Sequence, residues 1–383
     1  MTVKLFDDGG LTEFEAGVVS CLEAKGGYEV VLDRSAFFPE GGGQPGDVGV
    51  LNEVAVLDTY EKDGEVIHLC AEALIPGSHI YGRIDKDIRL RRMQNHSGEH
   101  LLMGIIHNKF GYDNVGFRLG SGAVTLDLNG IISEEELKEC EQLANEAIAE
   151  DIPITVSYPD RDELAGLNYR SKIEASDKIR IVTIEGIDRC ACCAPHLSST
   201  GKIGIIKVLS SEKNRGGTRV FIVCGLDALD VFRQREKGNS EISRLLSAKP
   251  ELAAEAVKRL HSEVQNLKER LAEAERLRTD DIIKGLDNPS RGSFGLFVEG
   301  LNADHARRIA NAAVSLTDGA AGIFYKAGEG YSYVIASRNI PLRERVKEIN
   351  AALKGKGGGS DMMLQGTATA SREEIDEFFS SFH

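Results

Sequence analysis

No stretch of the sequence approaches the ~20 consecutive apolar residues that a membrane-spanning helix requires. No signal-like segment follows Met1 either, so we expect a protein that is neither membrane-spanning nor secreted. Basic charge is scarce: 46 Lys and Arg stand against 60 Asp and Glu, a net charge of -14. Such a chain repels polyanions at long range, which argues against broad non-specific nucleic-acid binding and leaves that work to local patches. A disulfide framework is also disfavoured, because the seven cysteines are odd in number and three of them, Cys190, Cys192 and Cys193, crowd together. That usage fits a reducing compartment, and the cytoplasm is the expected location. The metalloprotease motif H-E-x-x-H is absent, since Ser97 holds its second position and Glu99 adjoins the second histidine.

What is present centres on two spaced pairs. His96 and His100 stand four apart in N-H-S-G-E-H-L-L, and Cys192 and His196 stand four apart in C-A-C-C-A-P-H. On a helix, positions i and i+4 share a face, so the first pair can reach one ion from a rigid backbone. Thiolate and imidazole are ligands that zinc accepts in tetrahedral sites. Either pair alone reads equally as ordinary surface or hydrogen-bonded residues, and the coincidence of both points to metal. His107, two turns beyond His100, is expected outside the site.

At 383 residues, with 42% hydrophobic and 28% charged residues, the chain reads as a globular protein of two to four domains. Residues 1–88 carry short β-rich runs at 28–33, 48–53, 54–59, 66–70 and 78–84, punctuated by Gly, Asp-Gly and Pro-Gly, which predicts a small barrel. Residues 89–225 alternate helical and strand signals, including a helix over 89–109 and a second opened by the capping box at Ser133. Residues 226–285 lack strand signals, and Val257, Leu260, Val264, Leu267 and Leu271 repeat at spacings of three and four, a helical hairpin with a coiled-coil-like seam. Residues 286–383 read as a compact α/β unit. The expected class is therefore multidomain α+β.

Two glycine-rich segments stand out. One lies within F-F-P-E-G-G-G-Q-P-G-D-V-G, residues 37–49, where Gly41, Gly42 and Gly43 precede Gln44; the other, residues 355–366, is expected to be a loop able to hold an anion through backbone N–H groups. Arg83, Lys86, Arg89, Arg91 and Arg92 form a basic run before the histidine pair, read either as a guide for a phosphate-bearing substrate or as a solvated flank.

In this order, F-P-E-G-G-G-Q-P-G-D-V-G, N-H-S-G-E-H-L-L, C-A-C-C-A-P-H-L-S-S-T-G-K-I-G and G-K-G-G-G-S-D-M-M-L-Q-G resemble the AlaX family of free-standing alanyl-tRNA editing proteins, in the long form that carries a C-terminal DHHA1-type domain. The resemblance covers almost the whole chain and is weakest over the helical linker. It implies one Zn2+ per chain on His96, His100, Cys192 and His196. Cys193 competes with Cys192 because C-C-A-P-H replaces the family's usual C-G-G-T-H, and the four-residue spacing favours Cys192. Pro195 replaces a common hydroxyl neighbour there. Gln44, Phe117 and Arg118 are the catalytic-pocket residues the resemblance points to. Gly41, Gly42, Gly43, Lys354, Lys356, Gly357, Gly358 and Gly359 are the expected tRNA contacts.

The implied activity is hydrolysis of the ester joining serine, and often glycine, to alanine tRNA, with a homodimer through the linker or C-terminal domain as a further expectation. A pocket shaped for a methyl group cannot strongly reject an added hydroxyl or a smaller side chain, so a second hydrolytic site is needed. Likeness to alanine–tRNA ligases brings ATP binding with it as an association, yet the residues before the histidine pair are too few for an aminoacylation domain. Two other readings are a zinc-stabilised RNA-binding module without catalysis and a relative of DHH-type phosphoesterases, whose Asp-His-His cluster is missing.

Overall fold

The computed structural model describes residues 2–120, 122–170, 179–287 and 291–383. Six strands close into a barrel in the order Glu13–Ala24, Gly27–Leu32, Glu65–Cys70, Val54–Lys62, Gly49–Leu51 and His79–Ile84. The inward faces of these strands bury Phe14, Ala16, Val18, Val30, Leu32, Leu51, Val56 and Ile80. The longest strand, Glu13–Ala24, is missing from the sequence expectation. Its alternation holds only from Phe14 to Val18 before a register shift between Val18 and Ser20 breaks the period.

Helix α1 (Lys86–Phe110) opens on Asp85, whose carboxylate accepts the N–H groups of Asp87 and Ile88, and ends at Gly111 in the left-handed region. Its buried face is unusually polar: Arg89, Gln94, Asn95, His96, Ser97, Glu99 and His100 lie there beside Leu101, Leu102 and Met103. Buried polar groups demand partners. The surrounding elements supply them.

A four-stranded antiparallel sheet, in the order Ile206–Asn214, Gly217–Cys224, Val124–Leu128 and Asn114–Leu119, packs with α1 and with α2 (Glu134–Ala149), the helix whose Ser133 and Glu136 form the expected capping box. A three-stranded sheet, Ile154–Ser157, Ile181–Ile184 and Asp188–Ala191, follows, with α3 (Arg161–Gly166) in the connection. Its last strand leads directly into the segment carrying Cys192 and His196. The strands Asn114–Leu119 and Ile154–Ser157 escaped the sequence reading, both being short and without a clean apolar alternation.

The basic run does not line an entrance as a group. Arg89 is fully buried, pairs with Asp47 and donates to the Ala36 carbonyl at 2.8 Å. Arg92 donates to the Gly46 carbonyl at 2.6 Å, and Arg91 pairs with Asp227 and Asp230 at 2.5 and 2.8 Å. These three arginines fasten α1 to the barrel and to its own unit; only Arg83 and Lys86 remain exposed. The steering reading fails for the rest, because each is already bound to a carboxylate or a backbone carbonyl of its own unit.

The chain packs as two compact units, Met1–Ser240 and Glu241–His383, with α4 (Gly225–Leu245) running through the division. In the second unit, α5 (Ala253–Lys284) is about 48 Å long at 1.5 Å per residue. Its seam residues Val257, Leu260, Val264, Leu267 and Leu271 are 39% to 60% exposed, so none of them is buried by the described residues of the unit. Packed on the C-terminal half of the unit is a five-stranded sheet in the order Phe294–Val298, Ala320–Ala327, Gly330–Ser337, Met363–Ala368 and Lys356–Gly359, parallel only between the first two. Helices α6 (Ala303–Ala313), α7 (Val346–Ala352) and α8 (Arg372–Ser381) complete the unit.

Residues 355–366 are not a loop. Lys356–Gly359 and Met363–Ala368 pair as an antiparallel hairpin on the sheet edge. Glycine allows this because a Cβ at Gly357 would run into the Tyr333 hydroxyl and at Gly355 into the Thr367 carbonyl.

Candidate metal centre

Side chains of His96, His100, Cys192 and His196 are all buried, and one ligand atom from each lies within 4.8 Å of the others. The Cys192 Sγ is 3.6 Å from His96 Nε2 and 3.3 Å from His196 Nε2. Tetrahedral zinc bonds of ~2.0–2.3 Å place ligand atoms ~3.3–3.6 Å apart, which both of these separations match.

Each imidazole is also held from behind. His96 Nδ1 donates to Gln44 Oε1 at 2.8 Å and His100 Nδ1 to Asp188 Oδ2 at 3.0 Å, while His196 Nδ1 shares a hydrogen bond of 3.2 Å with Ser97 Oγ. The amide oxygen and the carboxylate assign the proton of His96 and His100 to Nδ1 and leave their Nε2 lone pairs for an ion, the second layer that metal-binding histidines require. Asp188 is in turn gripped by Arg170 through two hydrogen bonds of 2.8 and 2.9 Å. Ser97 Oγ accepts the Leu197 N–H at 3.1 Å, and Arg180 Nη1 donates to the carbonyls of Cys192 and Ala194 at 2.9 and 2.8 Å. The ligand-bearing segment is thus pinned on both sides.

The electrostatics match the ligand chemistry at Cys192 and His196, whereas at His100 burial opposes charge but the hydrogen bonds to Asp188 and Cys192 outweigh it and hold the imidazole well above its usual value. Burial opposes charge on His196 and pushes its pKa down to about 3, keeping the imidazole neutral. Burial also opposes a thiolate at Cys192, but the surrounding imidazoles of His96, His196 and His100 outweigh it and hold the thiol well below its usual value. A thiolate and neutral imidazoles are the forms a metal takes.

Residues 41–44 form a tight turn beside this quartet. Gly41 and Gln44 exchange backbone hydrogen bonds of 3.1 and 3.0 Å, with Gly42 and Gly43 between them at φ 57° and 84°. Two successive positive φ values are the pattern of a type I′ turn, which selects glycine. A Cβ at Gly43 would also meet the Phe117 carbonyl at 2.6 Å. The turn delivers Gln44 to His96, while its Nε2 is buried with no hydrogen-bond partner among the described residues.

A cavity of about 760 Å³ opens at the quartet and is lined by His96, His100, Glu99, Phe117 and Arg170 among others. Of the residues expected in the pocket, Phe117 lies against His96 with ring centroids 4.8 Å apart, whereas Arg118 is exposed and is not among the lining residues. Successive residues of a strand face opposite ways, and Phe117 takes the inner side. Cys192 belongs to the quartet; Cys193 is exposed and stands outside it. His107 is likewise outside the quartet, though it lines the same cavity. Lys354 pairs with Glu374 at 2.6 Å on the surface of the second unit, and Lys356 and Gly358 lie on the edge strand. Sequence reasoning missed Asp188, Arg170, Arg180 and Ser97. Only Ser97 sat within a motif.

Residues 179–221 match the family model described as the threonyl and alanyl tRNA synthetase second additional domain. Over 97% of its length the chain is 30% identical to alanyl-tRNA editing protein AlaX-L of Pyrococcus horikoshii, of which it covers 95%. It is also 30% identical to alanyl-tRNA editing protein Aarsd1 of Mus musculus, across 94% of the chain and 93% of that protein. Alanine–tRNA ligase of Archaeoglobus fulgidus is 33% identical across 98% of the chain, which covers 43% of that longer protein.

Proposed function

The chain belongs to the family of alanyl-tRNA editing proteins, and from that premise we propose that it hydrolyses the ester of mischarged alanine tRNA, releasing serine and, less selectively, glycine. The observation that carries this reading is the buried quartet His96, His100, Cys192 and His196, with all three imidazoles anchored through Nδ1, at the floor of an open cavity. One Zn2+ held there by all four side chains would organise the site, and with a coordination position open to the cavity it would also polarise the ester carbonyl or activate water. Gln44 fixes the His96 ring through its amide oxygen, and its amide nitrogen is buried beside the site with no partner among the described residues. Asp188 and Arg170 hold His100, while Ser97 joins His196 to the backbone of Leu197. Phe117 walls the cavity beside His96 and limits access of water to that side.

The second unit is proposed to bind the tRNA body in the manner of a DHHA1-type domain, through Lys354, Lys356 and the edge strand at Gly357, Gly358 and Gly359. Support comes from the exposure of both lysines in a strongly acidic chain. The uncovered seam of α5 is proposed to pair two copies. Sedimentation of the full chain with Leu260→Glu and Leu267→Glu would then show monomers where the parent shows dimers; identical sedimentation refutes pairing.

The deciding test of the function is single-turnover serine release from Ser-tRNA(Ala), with zinc quantified in the same preparation. One zinc per chain and rapid release are expected, with Gly-tRNA(Ala) as the second substrate. A metal-bound protein that binds the charged tRNA without deacylating it would favour the RNA-binding module.

A further inference from the structure

Three carboxylates line the cavity at the quartet: Glu99, Asp113 and Asp188. Two are already committed. Asp188 gives both oxygens to Arg170 and one of them also to His100, and Asp113, more than half exposed, lies 3.1 Å from His107. Glu99 differs. It is 4% exposed, its Oε1 accepts from Asn114 Nδ2 at 2.5 Å, and its Oε2 has no hydrogen-bond donor among the described residues. That free oxygen lies 3.9 Å from His100 Nε2, one of the quartet's ligand atoms.

A carboxylate oxygen that has no donor of its own and belongs to a largely buried side chain lining the cavity is an acceptor open to a cation that enters there. The substrate class proposed above brings one. Every aminoacyl ester carries an α-ammonium two bonds from the ester carbonyl carbon, and an ammonium donating to a carboxylate sits ~2.8 Å from the oxygen. An acceptor about 4 Å from a quartet ligand atom is therefore within reach of the ammonium of an ester whose carbonyl lies at the quartet. Asn114, from the neighbouring strand Asn114–Leu119, fixes the carboxylate and directs its second oxygen.

We propose that Glu99, oriented by Asn114, binds the α-ammonium of the aminoacyl ester and so selects charged amino-acid esters over neutral acyl esters. This rests on the deacylase reading and adds to it a recognition group for a substrate feature common to serine and glycine.

The test compares Ser-tRNA(Ala) with its deaminated counterpart, the glyceryl ester, in which a hydroxyl replaces the ammonium, using the zinc-loaded full chain and its Glu99→Gln variant. The parent is expected to prefer the seryl ester at least tenfold in kcat/KM. In Glu99→Gln the seryl ester should lose at least tenfold while the glyceryl ester changes less than twofold, so that the ratio of the two esters collapses; the cycle cancels their different intrinsic reactivities. Zinc at one per chain in the variant would support an effect on recognition. A parent that treats both esters alike overturns the proposal whatever the variant does, as does equal slowing of both esters in the variant. A parent that hydrolyses neither would instead defeat the deacylase reading itself.

Discussion

Two glycine-rich segments, residues 41–44 and 355–366, look alike in the sequence, and the structure uses glycine differently in each. In the first, Gly42 and Gly43 take positive φ and turn the chain so that Gln44 reaches His96. In the second, the glycines are extended and paired on a sheet edge, where Gly357 makes room for the Tyr333 hydroxyl. One segment needs glycine for backbone conformation at a site. The other needs it for side-chain clearance next to an exposed edge, while Gly358 has open space about it. Counting glycines cannot separate these cases, because what matters is the atom that a missing Cβ would have met.

The comparison breaks most deeply at the quartet served by the first segment. Cys192→Ser should abolish stoichiometric zinc and slow serine release by more than about 100-fold, since loss of even an outer partner commonly costs 10- to 100-fold; full zinc and full rate would detach the first turn from any metal role. Gly43→Ala comes next. Its φ of 84° and the Phe117 carbonyl make the added methyl cost about 1–3 kcal/mol in unfolding free energy, with slower release at saturation.

A smaller effect is expected at the second segment. Lys354→Ala with Lys356→Ala should weaken binding of the charged tRNA and lower the salt slope by about 2 while leaving the saturating single-turnover rate intact. An unchanged slope would leave the edge strand a structural device, and a lost rate at normal affinity would move it into the chemistry. The smallest effect belongs to Gly358→Ala, where no atom lies within 4 Å of the added Cβ; stability should move by less than about 0.5 kcal/mol. A large loss there would erase the contrast between the two segments.

That these four residues come together was legible because the helical spacing of His96 and His100 is a local property, and Cys192 and His196 repeat the spacing of four outside a helix. The barrel was legible for a similar reason, through turn residues between alternating runs. What holds the ligands was not. Gln44 is 52 residues from His96, and Asp188 is 88 from His100, so no local pattern announces either pairing. Arg89 and Arg92 read as surface charge until Asp47 and Gly46 are placed beside them. The edge hairpin was hidden by composition, since glycine is depleted in strands, and it is Tyr333, reaching across the strand Met363–Ala368, that explains Gly357.

The buried Arg89 and Asp47 pair has a further consequence for how this protein opens. Neither side chain is more than 1% exposed, one belonging to α1 and the other to the segment that follows the glycine turn. Separating the barrel from α1 would break this charge-assisted pair and the Arg89 bond to the Ala36 carbonyl together with the apolar packing around them. Partial opening at that seam is therefore suppressed, and the barrel and α1 should behave as one cooperative block in native-state hydrogen exchange, with amides of Val30 and Leu102 exchanging through the same opening.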